Sequence, residues 1–189
     1  MRKLLWLDVD TGNDDAFAII LAGHHPDLEV LGISTVFGNN TVHHTTNNTL
    51  KINSLAGLTH IKVYKGSEHP LMRPANISDG VLFHGESGLG KGITIPEPVY
   101  DHQEGFAVHH MYQSLKHAAQ KVHLCCTGSL TNLAKLILVY PDAHEYIEQV
   151  VIMGGGIREF NINHCAEYNM YSDPEAASIV FNSNLSVFI

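Results

Sequence analysis

The stretch Lys3–His24, KLLWLDVDTGNDDAFAIILAGH, decides the fold. Its first part, Lys3–Val9, carries the apolar run Leu4–Leu7 with Val9 after a single acid, Asp8, the pattern of a strand buried on both faces. Its second part, Asp14–His24, has the length and composition of a helix, with Asn13 as the expected N-cap. A buried strand that turns directly into a helix is the opening of a βαβ unit.

The pattern repeats outward from there. Leu28–Val36 reads as a strand, Thr41–Ala56 as a helix ending at Gly57, and Ile61–Lys65 as a short strand. A Gly- and Pro-rich segment, 66–102, follows, and connections of that length in compact domains are usually functional or disordered. Gln103–Ala119 reads as a helix, Val122–Cys126 as a strand, and Leu130–Val139 as a helix stopped by Pro141. Val150–Met153 reads as a strand running into three glycines. Pro174–Phe181 reads as a helix capped by Ser172 or Asp173, and Leu185–Ile189 as the start of a strand. The expected fold is a single α/β domain over residues 1–189, Rossmann-like, with a mostly parallel central sheet and helices on both faces. Sites in such sheets lie beyond the carboxyl ends of the strands. Asp8, Asp10, Asn39, Thr127 and Met153 all fall at or just after such ends.

Composition narrows the function. Hydrophobic residues make up 44% and charged residues 16%, as in a folded globular chain. The formal net charge of −8 argues against a nucleic-acid partner or an anionic membrane surface. No apolar run approaches the roughly 20 residues that cross a bilayer. Asp8 and Asp10 end the N-terminal apolar stretch too early for a signal peptide, so a cytoplasmic location is expected. The three cysteines, Cys125, Cys126 and Cys165, lack zinc-ligand spacing and read as buried, reduced thiols. The 14 histidines are scattered, and adjacent pairs on a helix point in different directions, which makes poor metal clamps. The sequons at Asn39, Asn47, Asn76 and Asn184 are read as coincidental.

The densest chemistry is Asp8-Val9-Asp10-Thr11-Gly12-Asn13-Asp14-Asp15. Four carboxylates where a strand becomes a helix repel one another unless a cation sits among them. Acids favour helix N-termini, which accounts for Asp14 and Asp15 but not for Asp8 and Asp10. A hard ion such as Ca²⁺ suits a nest of carboxylate, carbonyl and water oxygens.

The run DVDTGNDDAFAI resembles the N-terminal signature of the inosine-uridine preferring nucleoside hydrolase family. VFGNN at 36–40, HGESGLG at 84–90, TGSLTNLA at 127–134, MGGG at 153–156 and AEYNMYSDPEAA at 166–177 resemble its later motifs, in the same order. The resemblance implies hydrolysis of the N-glycosidic bond of inosine, uridine or a similar ribonucleoside. It implies Ca²⁺ held by Asp10, Asp15 and the Thr127 carbonyl, with Asp10 as general base on a water that the ion activates. Ribose contacts are implied for Asp14, Asn39, Asn161, Glu167 and Asn169. Glu167 and Asn169, two apart, would face one side of an extended segment. Met153 is expected either against the sugar or in the core, and His84 either over the base or exposed.

Members of that family also carry a further metal-binding Asp beside a leaving-group His that cannot be matched here. The chain is therefore expected to be incomplete at its C-terminus and weakly active or inactive as it stands. Full-length relatives are expected to form dimers or tetramers. Two rivals remain. DxDxT at Asp8–Thr11 also opens haloacid-dehalogenase-type Mg²⁺ phosphatases with Asp8 as nucleophile, although no Gly-Asp dipeptide supplies their later acidic motif. A non-catalytic remnant binding Ca²⁺ or ribose is the second.

Overall fold

The computed structural model describes residues 2–76, 80, 85, 87–89 and 95–189. Strand β1, Lys3–Val9, is the centre of the molecule. Its side chains alternate between two cores, as the period of two requires. Leu4 and Trp6 join one cluster, whereas Leu5, Leu7 and Val9 join the other. Helices α1 (Asn13–His24) and α2 (Val42–Leu55) contribute to the second cluster through Ile19, Ala22, Leu50 and Ile52. Helices α3 (Ala107–Lys116), α4 (Thr131–Val139) and α6 (Pro174–Phe181) contribute to the first through Met111, Leu133 and Val180. The sheet is thus sandwiched, as an all-parallel sheet must be.

Six strands lie in the order β3-β2-β1-β4-β5-β6, all parallel. The others are β2 Leu28–Thr35, β3 Val63–Lys65, β4 Val122–Cys126, β5 Ile147–Ile152 and β6 Val187–Phe188. The chain winds outward from β1 to β3, then returns to lay β4 on the other side of β1. That reversal opens a crevice at the carboxyl ends of β1 and β4. Three backbone bonds carry the ladder one step past the strands and line up the loops there. Val36 N–H donates to Val9 O, Thr127 N–H to Asp8 O and Met153 N–H to Cys126 O, each at 2.9 Å.

Local boundaries differ from expectation for identifiable reasons. Gly12, not Asn13, caps α1, and the Asp15 carboxylate accepts its N–H at 2.7 Å. Strand β5 starts at Ile147: Glu148 and Gln149 interrupt the apolar run, but Ile147 and Gln149 both pair with β4 across a register shift that skips Glu148. Strand β3 omits Ile61, which turns into the core, and β6 is only Val187–Phe188. Gly105, at φ 102°, delays α3 to Ala107. Pro141 opens an unexpected 3-10 turn, Pro141–Glu145. Glu167 and Asn169 do not lie on an extended segment. Glu167 caps the short helix α5, Tyr168–Ser172, and Asn169 sits in its first turn. Of the cysteines only Cys126 is fully buried; Cys165 is exposed. Among the described residues no helix is long and apolar enough to cross a membrane.

Candidate active site

Asp10 leaves the end of β1 and sits at the floor of the crevice, 1% exposed. The backbone packs tightly around it. A Cβ on Gly38 would fall 2.1 Å from Asp10 Oδ2, and one on Gly128 2.9 Å from Oδ1, so only glycine permits this approach. Asp10 Oδ2 accepts the Asn39 N–H at 2.8 Å. Its Oδ1 is buried without a hydrogen-bond partner among the described residues. A buried carboxylate oxygen in that condition is costly. Asp8 Oδ2 shares it in the interior, but only Asp10 borders a cavity that could take a ligand or ion. Burial, then the neighbouring Asp15, push Asp10 well above the usual carboxylate range.

Asp15 lies behind it, fully buried in the first turn of α1. Besides Gly12, its Oδ2 takes a long bond of 3.5 Å from the Asn39 side chain, and its Oδ1 accepts the Thr127 hydroxyl at 2.5 Å. Burial and the adjacent Asp14 raise it to about 6. The helix N-terminus therefore carries two buried acids that favour a proton over bare charge. This is the electrostatic condition in which a hard cation is welcome.

Asp8 departs from the sequence expectation. It is turned into the interior, where its Oδ1 accepts the Ser34 hydroxyl at 2.5 Å and the Asn132 amide at 2.8 Å. Burial outweighs both bonds and raises it to about 6. It does not line the crevice, so it belongs to neither the acid nest nor the phosphatase scheme in which it would attack a substrate.

Above Asp10 opens a cavity of about 360 Å³, inside the range of roughly 300–1,000 Å³ usual for small-molecule sites. It brings together eight of the residues named from sequence: Asp10, Asp14, Asn39, Thr127, Met153, Asn161, Glu167 and Asn169. Asp15 supports the floor from behind, through Thr127 and Asn39. Met153 is 46% exposed, so it is not core. His84 lies outside the described residues.

The far wall is built by α5. Glu167 Oε2 accepts the N–H groups of Asn169, Met170 and Gly155 at 3.0–3.3 Å, tying the helix start to the loop after β5. Asn169 Nδ2 reaches back to the Thr127 carbonyl at 2.8 Å and the Met153 carbonyl at 3.1 Å. Asn161 Oδ1 accepts the Tyr168 N–H at 2.8 Å, a brace on the helix rather than a bond within its own turn. Three further residues line the cavity that sequence reasoning passed over: Asn13, Gly80 and Tyr168. Tyr168 stands between the two named residues Glu167 and Asn169, but its hydroxyl finds a partner 130 positions away.

A cation here would meet the Asp10 and Asp15 carboxylates and the Thr127 carbonyl, an all-oxygen set suited to a hard ion. The unpartnered Asp10 Oδ1 is the feature that fits it. Among the described residues no group of three or more His, Cys, Asp or Glu side chains is placed to hold a metal ion, so the Thr127 carbonyl and water would have to complete the set.

The chain is similar to the pyrimidine-specific ribonucleoside hydrolase RihA of Photobacterium profundum, at 41% identity over 99% of this chain and 59% of that protein. It is 43% identical to the enzyme of the same name from Shewanella baltica, over 99% of this chain and 58% of that protein. Among solved structures, the purine-preferring ribonucleoside hydrolase from Gardnerella vaginalis superposes with a TM-score of 0.92 at 33% identity, over 98% of this chain and 59% of that one. The chain thus spans about three fifths of the length of these relatives. The model of the inosine-uridine preferring nucleoside hydrolases matches residues 5–189, and the chain belongs to that family.

Proposed function

We propose that this chain carries the ribose-binding and water-activating part of a ribonucleoside hydrolase, which splits the N-glycosidic bond to ribose and free base. The observation that carries the proposal is the unpartnered Asp10 Oδ1 at the floor of a cavity walled by carboxylates and carboxamides. The oxygen of a water placed there bonds to the anomeric carbon as the bond from carbon to base nitrogen breaks, the bonding pair leaving on the base, which takes a proton from solvent. Asp10, on the floor beside that water, takes a proton from it. A Ca²⁺ ion held by Asp10, Asp15 and the Thr127 carbonyl would supply the positive charge that orients and acidifies the water.

The walls suit a sugar. Asp14, Asn39, Asn161, Glu167 and Asn169 offer donors and acceptors to several hydroxyls, and Met153 offers an apolar surface to the ring. Among the described residues lining the cavity there is no lysine or arginine, whereas three are acids. That balance favours an uncharged nucleoside over a nucleotide, whose phosphate such a wall repels. The relatives' names divide between pyrimidine-specific and purine-preferring, so no base preference is carried over. With three unpaired cysteines, a reducing cytoplasmic setting suits the chain.

The test is ribose release from inosine and from uridine, read by a reducing-sugar assay with Ca²⁺ and after chelation. Calcium-dependent release supports the proposal. Calcium-dependent thermal stabilisation without release points to a non-catalytic binding module. Neither effect would sink both readings.

A further inference from the structure

We infer that Tyr168 is a positioning residue for Asp10, acting through the single peptide unit that joins Gly38 to Asn39. The inference rests on the role proposed for Asp10 above. The Tyr168 hydroxyl donates to the Gly38 carbonyl at 2.7 Å, with a longer contact of 3.4 Å to the Asn76 carbonyl. The N–H of the same peptide unit, that of Asn39, donates to Asp10 Oδ2 at 2.8 Å. One rigid amide is therefore gripped at both ends, by a phenol on one wall of the cavity and by the carboxylate on its floor.

Two physical consequences follow. A trans amide is planar, with its C=O and N–H pointing in opposite directions, so fixing the carbonyl end aims the N–H. Donation into the carbonyl also polarises the amide, and bonds in such a chain strengthen one another. With Oδ2 held by this N–H, the carboxylate cannot rotate freely. The Phe37 N–H on the Ser67 carbonyl and the Gly38 N–H on the Asn40 carbonyl, each at 3.1 Å, also hold this loop, but neither grips the Gly38 carbonyl. Gly38 has no side chain to anchor its loop, and a Cβ there would collide with Asp10. The anchor comes from Tyr168, itself set by the bond from its N–H to Asn161.

Tyr168→Phe keeps the ring on the cavity wall and removes only the hydroxyl. The readouts are the Asn39 backbone amide by nitrogen-15 NMR and hydrogen exchange, and calcium affinity by calorimetry. We expect the Asn39 proton to move upfield and exchange faster, and calcium to bind about threefold to tenfold more weakly, the usual effect of one hydrogen bond. Replacing Tyr168 with 3-fluorotyrosine, whose hydroxyl is more acidic, should shift the same proton downfield. An Asn39 amide unmoved in both proteins overturns the inference, whatever happens to the melting temperature. If the amide responds but calcium affinity, measured on a wild-type protein that does bind calcium, is unchanged, the relay does not position Asp10 and the inference also fails. Wild-type protein that neither binds calcium nor releases ribose refutes the proposed function instead, while the amide shifts still decide the relay.

Discussion

Asn169 donates its side-chain amide to the carbonyl of Thr127 at 2.8 Å, so a residue assigned to the sugar and one assigned to the ion meet at one atom. The same amide also serves the Met153 carbonyl. Asn169→Ala would leave both carbonyls short of a donor in a nearly buried place. We expect a loss of about 1–3 kcal/mol in chemical denaturation. Substrate KM should rise as well, because the wall and the floor lose their common tie.

Asp10→Asn should separate activity from stability. Without the carboxylate, ribose release should fall by on the order of 10²–10⁴. In chelator at neutral pH, however, the variant should melt higher than wild type, because burial and Asp15 both disfavour the Asp10 charge. A thermal melt in chelator checks the sign. A lower melting temperature would mean that Asp10 is not an electrostatic burden in the cation-free fold.

The pH dependence of the cation-free protein follows from Asp8 and Asp15, both raised to about 6. Their ordinary value is near 3.9, so between about 4 and 6 the folded state binds more protons than the unfolded chain. Stability must then fall as pH rises through that window, with Asp10, also raised by burial and Asp15, adding to the fall. Two units correspond to on the order of 3 kcal/mol for each group. Melting in chelator between pH 4 and 7.5 should show this slope. Saturating Ca²⁺ should remove the Asp15 share, since the ion competes with protons for that site, and leave the Asp8 share in place. Asp8→Asn should remove the Asp8 share of the slope in chelator.

Gly38→Ala tests the close packing around Asp10. Its Cβ would land 2.1 Å from Asp10 Oδ2, so either the loop or the carboxylate must shift. Overpacking of this kind costs about 1–3 kcal/mol. Calcium uptake should be lost or sharply weakened in calorimetry, even where the protein still folds.

Much of this was legible in the chain because the decisive signals are local. The apolar run Lys3–Val9, the Asp173 cap of α6 and the spacing of Val122–Cys126 each read correctly within their own neighbourhoods. Eight of the residues named by resemblance line one cavity, while Asp15 lies behind its floor and His84 falls outside the described residues. Asp8 and Asp10 could not be separated that way. Both are acids two apart at a strand end, and only the pairing of Val9 with Val36 sets where the strand stops. Asp8 consequently stays within the sheet and bonds to Ser34 and Asn132, while Asp10 passes beyond it.

The amino-acid sequence by itself determined the alternation of strands and helices and the acidic turn after β1, because periodicity and caps act over a few residues. The tertiary structure alone decided which oxygen of Asp10 is left unpaired, and that Tyr168 reaches Gly38. Those contacts join residues far apart in the chain, and they exist only where the parallel ladder lays separate loops side by side.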